Sequence, residues 1–206
     1  MKKILIVTAA TLAIALILIF VRQSPVGKTA PKTKVSLIEA KTTGYNSLDE
    51  LKKLPIILKG VKTKEDSTEL QYSKLDNSLI GGHTVSSFKI KEVIQNQDLN
   101  SNIKVDNSIS VMEYSFYNKE DDTIYSYNGY TNMKEDQEYI LFLLPEEDNV
   151  FPIGSVTLGK IPVETNEIEI FQEELEANPE TFGTTDKDIE LLEKVSTEVR
   201  NEYQNN

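Results

Sequence analysis

The chain has no cysteine, no tryptophan and a single histidine, His83, among its 206 residues. The absence of cysteine excludes disulfide bonds, thiolate zinc sites, thiol catalysis and attachment of lipid to an N-terminal cysteine. One histidine cannot build a multi-histidine metal site. The lack of thiols also agrees with an exported protein, for which stray oxidation is a hazard.

Basic residues are scarce in most of the chain, whose net charge is -11. Residues 1–34 hold six of the 22 basic residues and no acidic ones, so residues 35–206 carry the remaining 16 against 33 acidic residues, a net charge of -17. Binding of nucleic acid depends on lysine and arginine that neutralise phosphates. Because the body has neither that sign of charge nor a clustered basic stripe, we expect no nucleic-acid partner.

The N-terminus carries one long apolar run, residues 4–21, in which only Thr8 and Thr11 are polar. As a helix this run is about 27 Å long, close to the hydrocarbon thickness of a bilayer. A cleaved secretory signal has a shorter core and small residues at its cleavage site, whereas here Lys28-Thr29-Ala30 leads directly into Pro31. We therefore predict an uncleaved signal anchor over residues 1–22, with secretion after cleavage as the alternative.

The orientation of this span depends on its flanks. Two lysines precede it and four basic residues follow it before residue 35, so the count of positive charges does not favour a cytoplasmic N-terminus. A pair of lysines before an apolar core is nevertheless how export signals begin, and long domains cross largely regardless of such charge. We predict a single-pass protein of the cell membrane with its body outside the cell.

Residues 23–45 are predicted to form an extended tether, because residues 23–34 are polar, contain two prolines and have little to bury. A short helix is predicted over residues 46–54. Ser47 and Glu50 fit a capping box, Leu48 and Leu51 follow helical spacing, and Pro55 ends the helix.

From residue 55 to residue 163 the pattern changes to short strands without intervening helices. Strands are predicted over residues 56–61, 84–94, 103–105, 109–117, 123–127, 139–144 and 159–163. Turns are predicted at residues 81–82, 96–102, 118–122, 128–129 and 145–149, where glycine, asparagine, aspartate and proline are concentrated. This arrangement predicts a small antiparallel barrel or sandwich over residues 46–163. Phe88, Ile90 and Ile94 are expected to face its core.

Three segments, residues 84–94, 129–143 and 154–163, resemble the netrin-like domains of tissue metalloprotease inhibitors and their bacterial exported relatives. The likeness covers residues 55–163 and lies in core positions such as Tyr139-Ile140-Leu141-Phe142-Leu143. It implies an OB-like β-barrel. Inhibition in the animal family depends on an N-terminal cysteine, which this chain lacks, so the resemblance does not imply inhibition by that mechanism.

Residues 164–206 form an acidic segment with 13 acidic and three basic residues. Within it, residues 186–203 have the spacing of an amphipathic helix, with Ile189, Leu192, Val195, Val199 and Tyr203 on one face. We expect this face to pack on the barrel, with binding to a partner as the alternative. The fold class is thus mainly β, α+β overall, with a C-terminal helix.

The patterns of catalytic and metal sites are absent or incomplete in the sequence. Ser86 and Lys89 have Ser-x-x-Lys spacing, but strand alternation places them on opposite faces. His83 follows Gly81-Gly82 and is expected at a solvated turn, where its substitution would change little. The acidic runs 120–122 and 146–148 are expected to be solvated rather than to hold calcium. We predict no catalytic, cofactor-binding or metal-binding residues, and the alternative is an enzyme that uses carboxylates or His83.

Aromatic residues are concentrated around the predicted hairpin at residues 118–122. They are Tyr114, Phe116, Tyr117, Tyr125, Tyr127, Tyr130, Tyr139 and Phe142. Cross-strand pairing explains them as sheet stabilisation, and a contact surface for a protein or envelope partner is the alternative. The sequence thus predicts a non-catalytic, membrane-anchored interaction module, and it does not indicate the oligomeric state.

Overall fold

The computed structural model describes residues 33–40, 45–178 and 186–203. The predicted membrane anchor and most of the tether lie outside these ranges. Within them, no helix is both long enough and apolar enough to cross a membrane. Everything described below belongs to one unit, Lys34–Asn206.

The larger of two sheets has six strands, in the order β8-β4-β3-β2-β7-β9. Its strands are β2 (Ile56–Tyr72), β3 (Leu79–Asn96), β4 (Ser108–Glu113), β7 (Glu138–Leu143), β8 (Phe151–Pro152) and β9 (Lys160–Pro162). All neighbours are antiparallel except β4 and β8. A long hairpin, formed by β2 and β3, lies at the centre of this sheet.

The smaller sheet has three strands, in the order β1-β6-β5. They are β1 (Lys34–Ile38), β5 (Ser115–Asn118) and β6 (Thr123–Tyr127). Strand β1 falls within the segment that we assigned to the tether, and it pairs in parallel with β6. The sequence run 109–117, predicted as one strand, is divided at Tyr114, so that β4 and β5 belong to different sheets.

The described strands form a mainly β fold with two open, mixed sheets, and the prediction of a closed antiparallel barrel is wrong. In a barrel each strand has one face toward the interior and one toward the outside. Strand β7 instead buries both faces, because Tyr139 and Leu141 join one hydrophobic cluster while Ile140 and Phe142 join another. A sheet covered on both faces does not need to close on itself to bury its apolar residues.

The first cluster contains Phe88, Ile90 and the inward residues of β7. Their common core confirms the facing predicted for Phe88 and Ile90. Ile94, by contrast, packs against the second cluster, so it faces a core but not on the side that strand alternation predicted for it. The register pairs Lys59 with Glu92 but Gly60 with Ile90, and this bulge reverses the alternation of β3 beyond it.

In the described part of the chain, three helices complete the fold: α1 (Leu48–Leu51), α2 (Gln172–Glu176) and α3 (Asp186–Tyr203). Helix α1 begins at the predicted cap, where Ser47 Oγ accepts a hydrogen bond from Glu50 N–H at 3.3 Å. It is only one turn long, shorter than predicted. Helix α3 has the predicted bounds.

The apolar face of α3 packs on the domain itself. Val195, Val199 and Tyr203 belong to the second cluster, and the Tyr203 ring lies 6.3 Å from that of Phe142. Beside this packed face, an ion pair joins the end of α1 to α3, with Lys52 Nζ 2.5 Å from Glu202 Oε1. The alternative use of this face, as a binding surface for a partner, is therefore not available while α3 is docked.

Two other sequence predictions are wrong. Residues 103–105 lie in an irregular segment that leads into a turn, rather than in a strand. Gly81 and Gly82 lie inside β3, and the chain reverses between Tyr72 and Leu79 instead. A Cβ on Gly82 would come within 2.6 Å of the Glu69 carbonyl oxygen, so the glycine permits close approach of the backbones.

Candidate binding cleft

A cleft of about 360 Å³ lies beside β3, near the base of the β5–β6 hairpin. The residues that line it are Ala40, Gln71, Gly82, His83, Met112, Tyr114, Tyr127 and Val156. They come from β2, β3, β4, β6 and the segments that follow β1, β4 and β8. A larger depression of about 380 Å³ lies between α1 and α3, but its lining is mostly polar and acidic.

Two tyrosines are held rigidly in the wall of the cleft. The rings of Tyr114 and Tyr127 meet edge to face, with centroids 6.4 Å apart. Tyr114 Oη donates a hydrogen bond to the Ile153 carbonyl at 2.7 Å, and Tyr127 Oη accepts one from Gly82 N–H at 3.3 Å. Burial, with a smaller contribution from the charge of Glu147, raises the pKa of Tyr114, so this phenol stays protonated at neutral pH.

The only imidazole of the chain lines this cleft. His83 lies within β3 opposite Glu69 of β2, and His83 Nε2 is 3.5 Å from Glu69 Oε2. Its side chain is 14% exposed. The prediction of a solvated turn at His83 is therefore wrong, because the neighbouring glycines serve strand pairing rather than a turn.

The cleft offers chemistry suited to binding. Met112, Val156 and the two tyrosines supply apolar surface, and Gln71 and His83 supply polar groups. Among the described residues that line it, none carries a thiol, an amine, a carboxylate or the hydroxyl of serine or threonine. The hydroxyls among the described lining residues are those of Tyr114 and Tyr127, and both are engaged in hydrogen bonds with the backbone.

The aromatic residues concentrated around the hairpin do not share one face. Phe116 and Tyr125 stack across the β5–β6 hairpin with centroids 5.3 Å apart, which confirms cross-strand pairing there. Only Tyr114 and Tyr127 line the cleft. Tyr139 and Phe142 lie three positions apart in β7, so their side chains project from opposite faces of the strand. Tyr139 therefore belongs to the first cluster and Phe142 to the second.

The acidic runs at residues 120–122 and 146–148 serve the loops around them. Asp121 and Asp122 accept hydrogen bonds from the hydroxyls of Tyr125 and Tyr117, at 2.6 and 2.7 Å. Glu146 accepts one from the Asn100 side chain at 2.6 Å. In the described part of the chain, no three histidine or acidic residues come together as a metal site would require.

Sequence reasoning missed a buried carboxylate, Glu113, at the end of β4. Its Oε1 accepts hydrogen bonds from Lys62 Nζ at 3.0 Å and Ser86 Oγ at 2.5 Å. Its Oε2 accepts them from Tyr130 Oη at 3.0 Å and Met133 N–H at 2.5 Å. Burial and the nearby Glu113 raise the pKa of Tyr130, which keeps this hydroxyl a donor.

A second buried pair, Lys160 and Glu169, joins β9 to the segment before α2. Lys160 Nζ lies 2.9 Å from Glu169 Oε2, and Lys134 Nζ lies 3.0 Å from Glu169 Oε1. Both buried clusters are closed by protein groups and line neither the cleft nor its rim. We assign them to the architecture rather than to a reaction.

The chain matches no protein-family model, and it resembles no curated protein closely enough to indicate a relationship. Its function must be argued from the geometry of the cleft.

Proposed function

We propose that this protein is a membrane-anchored binding module outside the cell, and that its cleft holds an apolar side chain of a protein or envelope partner. The proposed activity is recognition without catalysis. The observation that carries the proposal is the cleft lined by Tyr114, Tyr127, Met112 and Val156, to which Gln71 and His83 add polar side chains.

The dimensions and lining support this proposal. Sites for small ligands commonly enclose about 300–1,000 Å³ and are mostly apolar, with a few polar groups that set orientation. Methionine adapts its shape to different partners, and tyrosine provides stiff contact area. We therefore assign the proposed role of the Tyr-rich hairpin in partner binding to the cleft at its base.

An enzyme is the second candidate, because His83 lines the cleft with Glu69 beside it. A histidine oriented by a carboxylate is one part of a general-base site. This candidate is weaker, since the hydroxyls of Tyr114 and Tyr127, the possible nucleophiles among the described lining residues, are engaged in hydrogen bonds with the backbone. It would require a water molecule or a group of the substrate for that role.

The proposal also includes the location of the protein and its resemblance to netrin-like domains. The apolar run 4–21 supports attachment to the membrane, with secretion after cleavage as the alternative. The resemblance to netrin-like domains supports a shared pattern of core strands and no particular ligand.

Binding of a probe in the cleft can be detected by the shifts of methionine methyl signals in NMR spectra. The chain has three methionines, of which Met112 lines the cleft and Met133 is buried in the first cluster. In full-length protein in lipid nanodiscs, labelled with ¹³C at the methionine methyls, Nα-acetyl-phenylalanine methylamide should shift the Met112 signal and leave Met133 in place. Nα-acetyl-serine methylamide should shift neither.

A variant that fills the cleft provides the matched test. Ala40→Phe places a ring at the cleft wall and should abolish the shift, whereas Ala177→Phe, at the end of α2, should keep it. The proposal is overturned if Met112 does not respond to the phenylalanine probe, or if Ala40→Phe responds as the unaltered protein does.

A further inference from the structure

A second cavity, of about 200 Å³, lies on the β5–β6 hairpin and shares no lining residue with the cleft. Its lining includes Phe116, Tyr117, Ile124, Phe171, Glu65 and Asn132. Three aromatic residues, one carboxylate and one amide therefore surround a space of side-chain size. The inference drawn from it does not depend on the proposed role of the cleft.

One lining atom lacks the partner that its burial calls for. Asn132 Oδ1 is buried and accepts no hydrogen bond in the described structure. A buried polar atom without a partner costs about 1–3 kcal/mol, so such atoms are uncommon in folded proteins. An acceptor left open at a cavity is satisfied when a ligand brings a donor.

The charges around the cavity indicate that this donor is a cation. Lys62 Nζ lies 3.0 Å from Glu113 Oε1 and 3.8 Å from Glu65 Oε2, so one ammonium is shared between two carboxylates. Glu135 adds a third carboxylate, since its Oε1 accepts a hydrogen bond from Glu65 N–H at 3.3 Å. Lys62 lies closer to the buried Glu113 than to Glu65, whose side chain is 46% exposed and can therefore pair with a second cation.

We propose that this cavity binds a primary ammonium group at the end of an alkyl chain, as in a lysine side chain of a protein partner. The ammonium donates a hydrogen bond to Asn132 Oδ1 and pairs with the Glu65 carboxylate. Its alkyl stem lies along Ile124 and the aromatic residues, where apolar contact and the attraction of cations to aromatic faces act together. An ammonium is compact and has three donors, which suits a cavity of this size better than a guanidinium.

The negative net charge of the whole body favours a cationic ligand. Residues 35–206 carry 16 basic against 33 acidic residues, so the domain attracts cations from a distance. That general attraction does not discriminate among cations. Discrimination comes from the open acceptor at Asn132, which only a ligand with a hydrogen-bond donor satisfies.

Full-length protein in nanodiscs with uncharged lipid, labelled at isoleucine methyls, tests the proposal. Nα-acetyl-lysine methylamide should shift the Ile124 signal in a saturable manner. The norleucine analogue, which keeps the stem but lacks the ammonium, should bind at least about tenfold more weakly, as expected when a charge-assisted hydrogen bond is lost. Equal binding of the two probes would overturn the proposal, as would an identical Ile124 shift produced by calcium chloride.

Two variants separate binding from folding. Asn132→Leu should weaken binding of the lysine probe about tenfold while leaving the melting temperature unchanged or raised, because it removes an unsatisfied acceptor. Glu65→Gln should weaken binding about two- to fivefold, and Glu190→Gln, an equal charge change on α3, should not. A marked loss of stability in Asn132→Leu, or unaltered binding in both cavity variants, contradicts the assignment.

Discussion

Lys62 Nζ and Glu113 Oε1 lie 3.0 Å apart inside the larger sheet, with side chains 3% and 0% exposed. Glu113 ends β4, immediately before the chain crosses to the smaller sheet at β5. Its other partners come from β3 and from the segment between β6 and β7. This one carboxylate therefore fixes the place where the two sheets separate.

Substitution of Lys62 should lower the free energy of unfolding. Lys62→Met leaves the Glu113 carboxylate buried without its cation, and breaking a buried pair in this way typically costs about 3–5 kcal/mol. The measurement is urea unfolding followed by tyrosine fluorescence, since the chain has no tryptophan. Lys64→Met is the control, because the Lys64 side chain is 65% exposed and its pair with Asp66 should contribute about 0–1 kcal/mol. Equal losses in the two variants would contradict this account.

Leu141 tests the first hydrophobic cluster. It is fully buried together with Phe88 and Leu143, so Leu141→Ala should lower the free energy of unfolding by about 2–5 kcal/mol. Leu75→Ala removes the same atoms from a side chain that is 98% exposed and should change stability by less than about 0.5 kcal/mol. An unchanged melting temperature in Leu141→Ala would reject the packing described for β7.

Glu169 makes stability depend on acid pH. Burial alone would raise the pKa of its carboxyl, but Lys160 and Lys134 outweigh burial and hold the pKa below its ordinary value of 4.5. A carboxyl with a lowered pKa in the folded state contributes stability that is present above the unfolded pKa and is lost as pH falls through the folded one. We expect the free energy of unfolding to decline below about pH 4.5.

The Glu169→Gln variant isolates this contribution. It should be less stable at pH 7, by about 3 kcal/mol, because the ammonium of Lys160 loses its buried partner. Its loss of stability between pH 5 and pH 3 should be smaller than that of the unaltered chain. Parallel pH profiles for the two proteins, measured by urea unfolding, would show that another group causes the acid dependence.

His83 distinguishes recognition from catalysis. On the binding proposal, His83→Ala should preserve the circular dichroism spectrum and change the affinity of the phenylalanine probe only modestly, because the proposed contacts of the probe are with the apolar residues of the cleft. A substitution that abolished a measurable activity while the fold stayed intact would favour the enzyme candidate. His83→Gln, which keeps hydrogen-bonding groups but cannot titrate, serves as the comparison.

The proposed membrane anchor has its own test. With residues 4–21 in the bilayer, carbonate extraction should leave the protein in the membrane pellet, and protease added to intact cells should digest the body. A body protected from protease would reverse the proposed orientation. A mature chain that begins after Ala30 and is found in the medium would establish the secreted alternative.

Several local elements followed from the sequence because nearby residues determine them. The cap at Ser47, the bounds of α3 and the strand over Thr123–Tyr127 depend on side-chain spacing and on turn residues a few positions away. The core facing of Phe88 and Ile90 followed from strand alternation. These patterns, together with the charge and the apolar N-terminal run, could be read without a structure.

The tertiary structure alone decided the register, the sheets and the cleft. A bulge near Lys91 reversed the facing of Ile94, and the break at Tyr114 sent β4 and β5 into separate sheets. The pairing of Lys62 with Glu113, and the approach of Met112, His83 and Tyr127 around one space, join residues far apart in the chain. Such contacts leave no periodic trace in the sequence, because they depend on how whole strands align in space rather than on the spacing of neighbouring side chains.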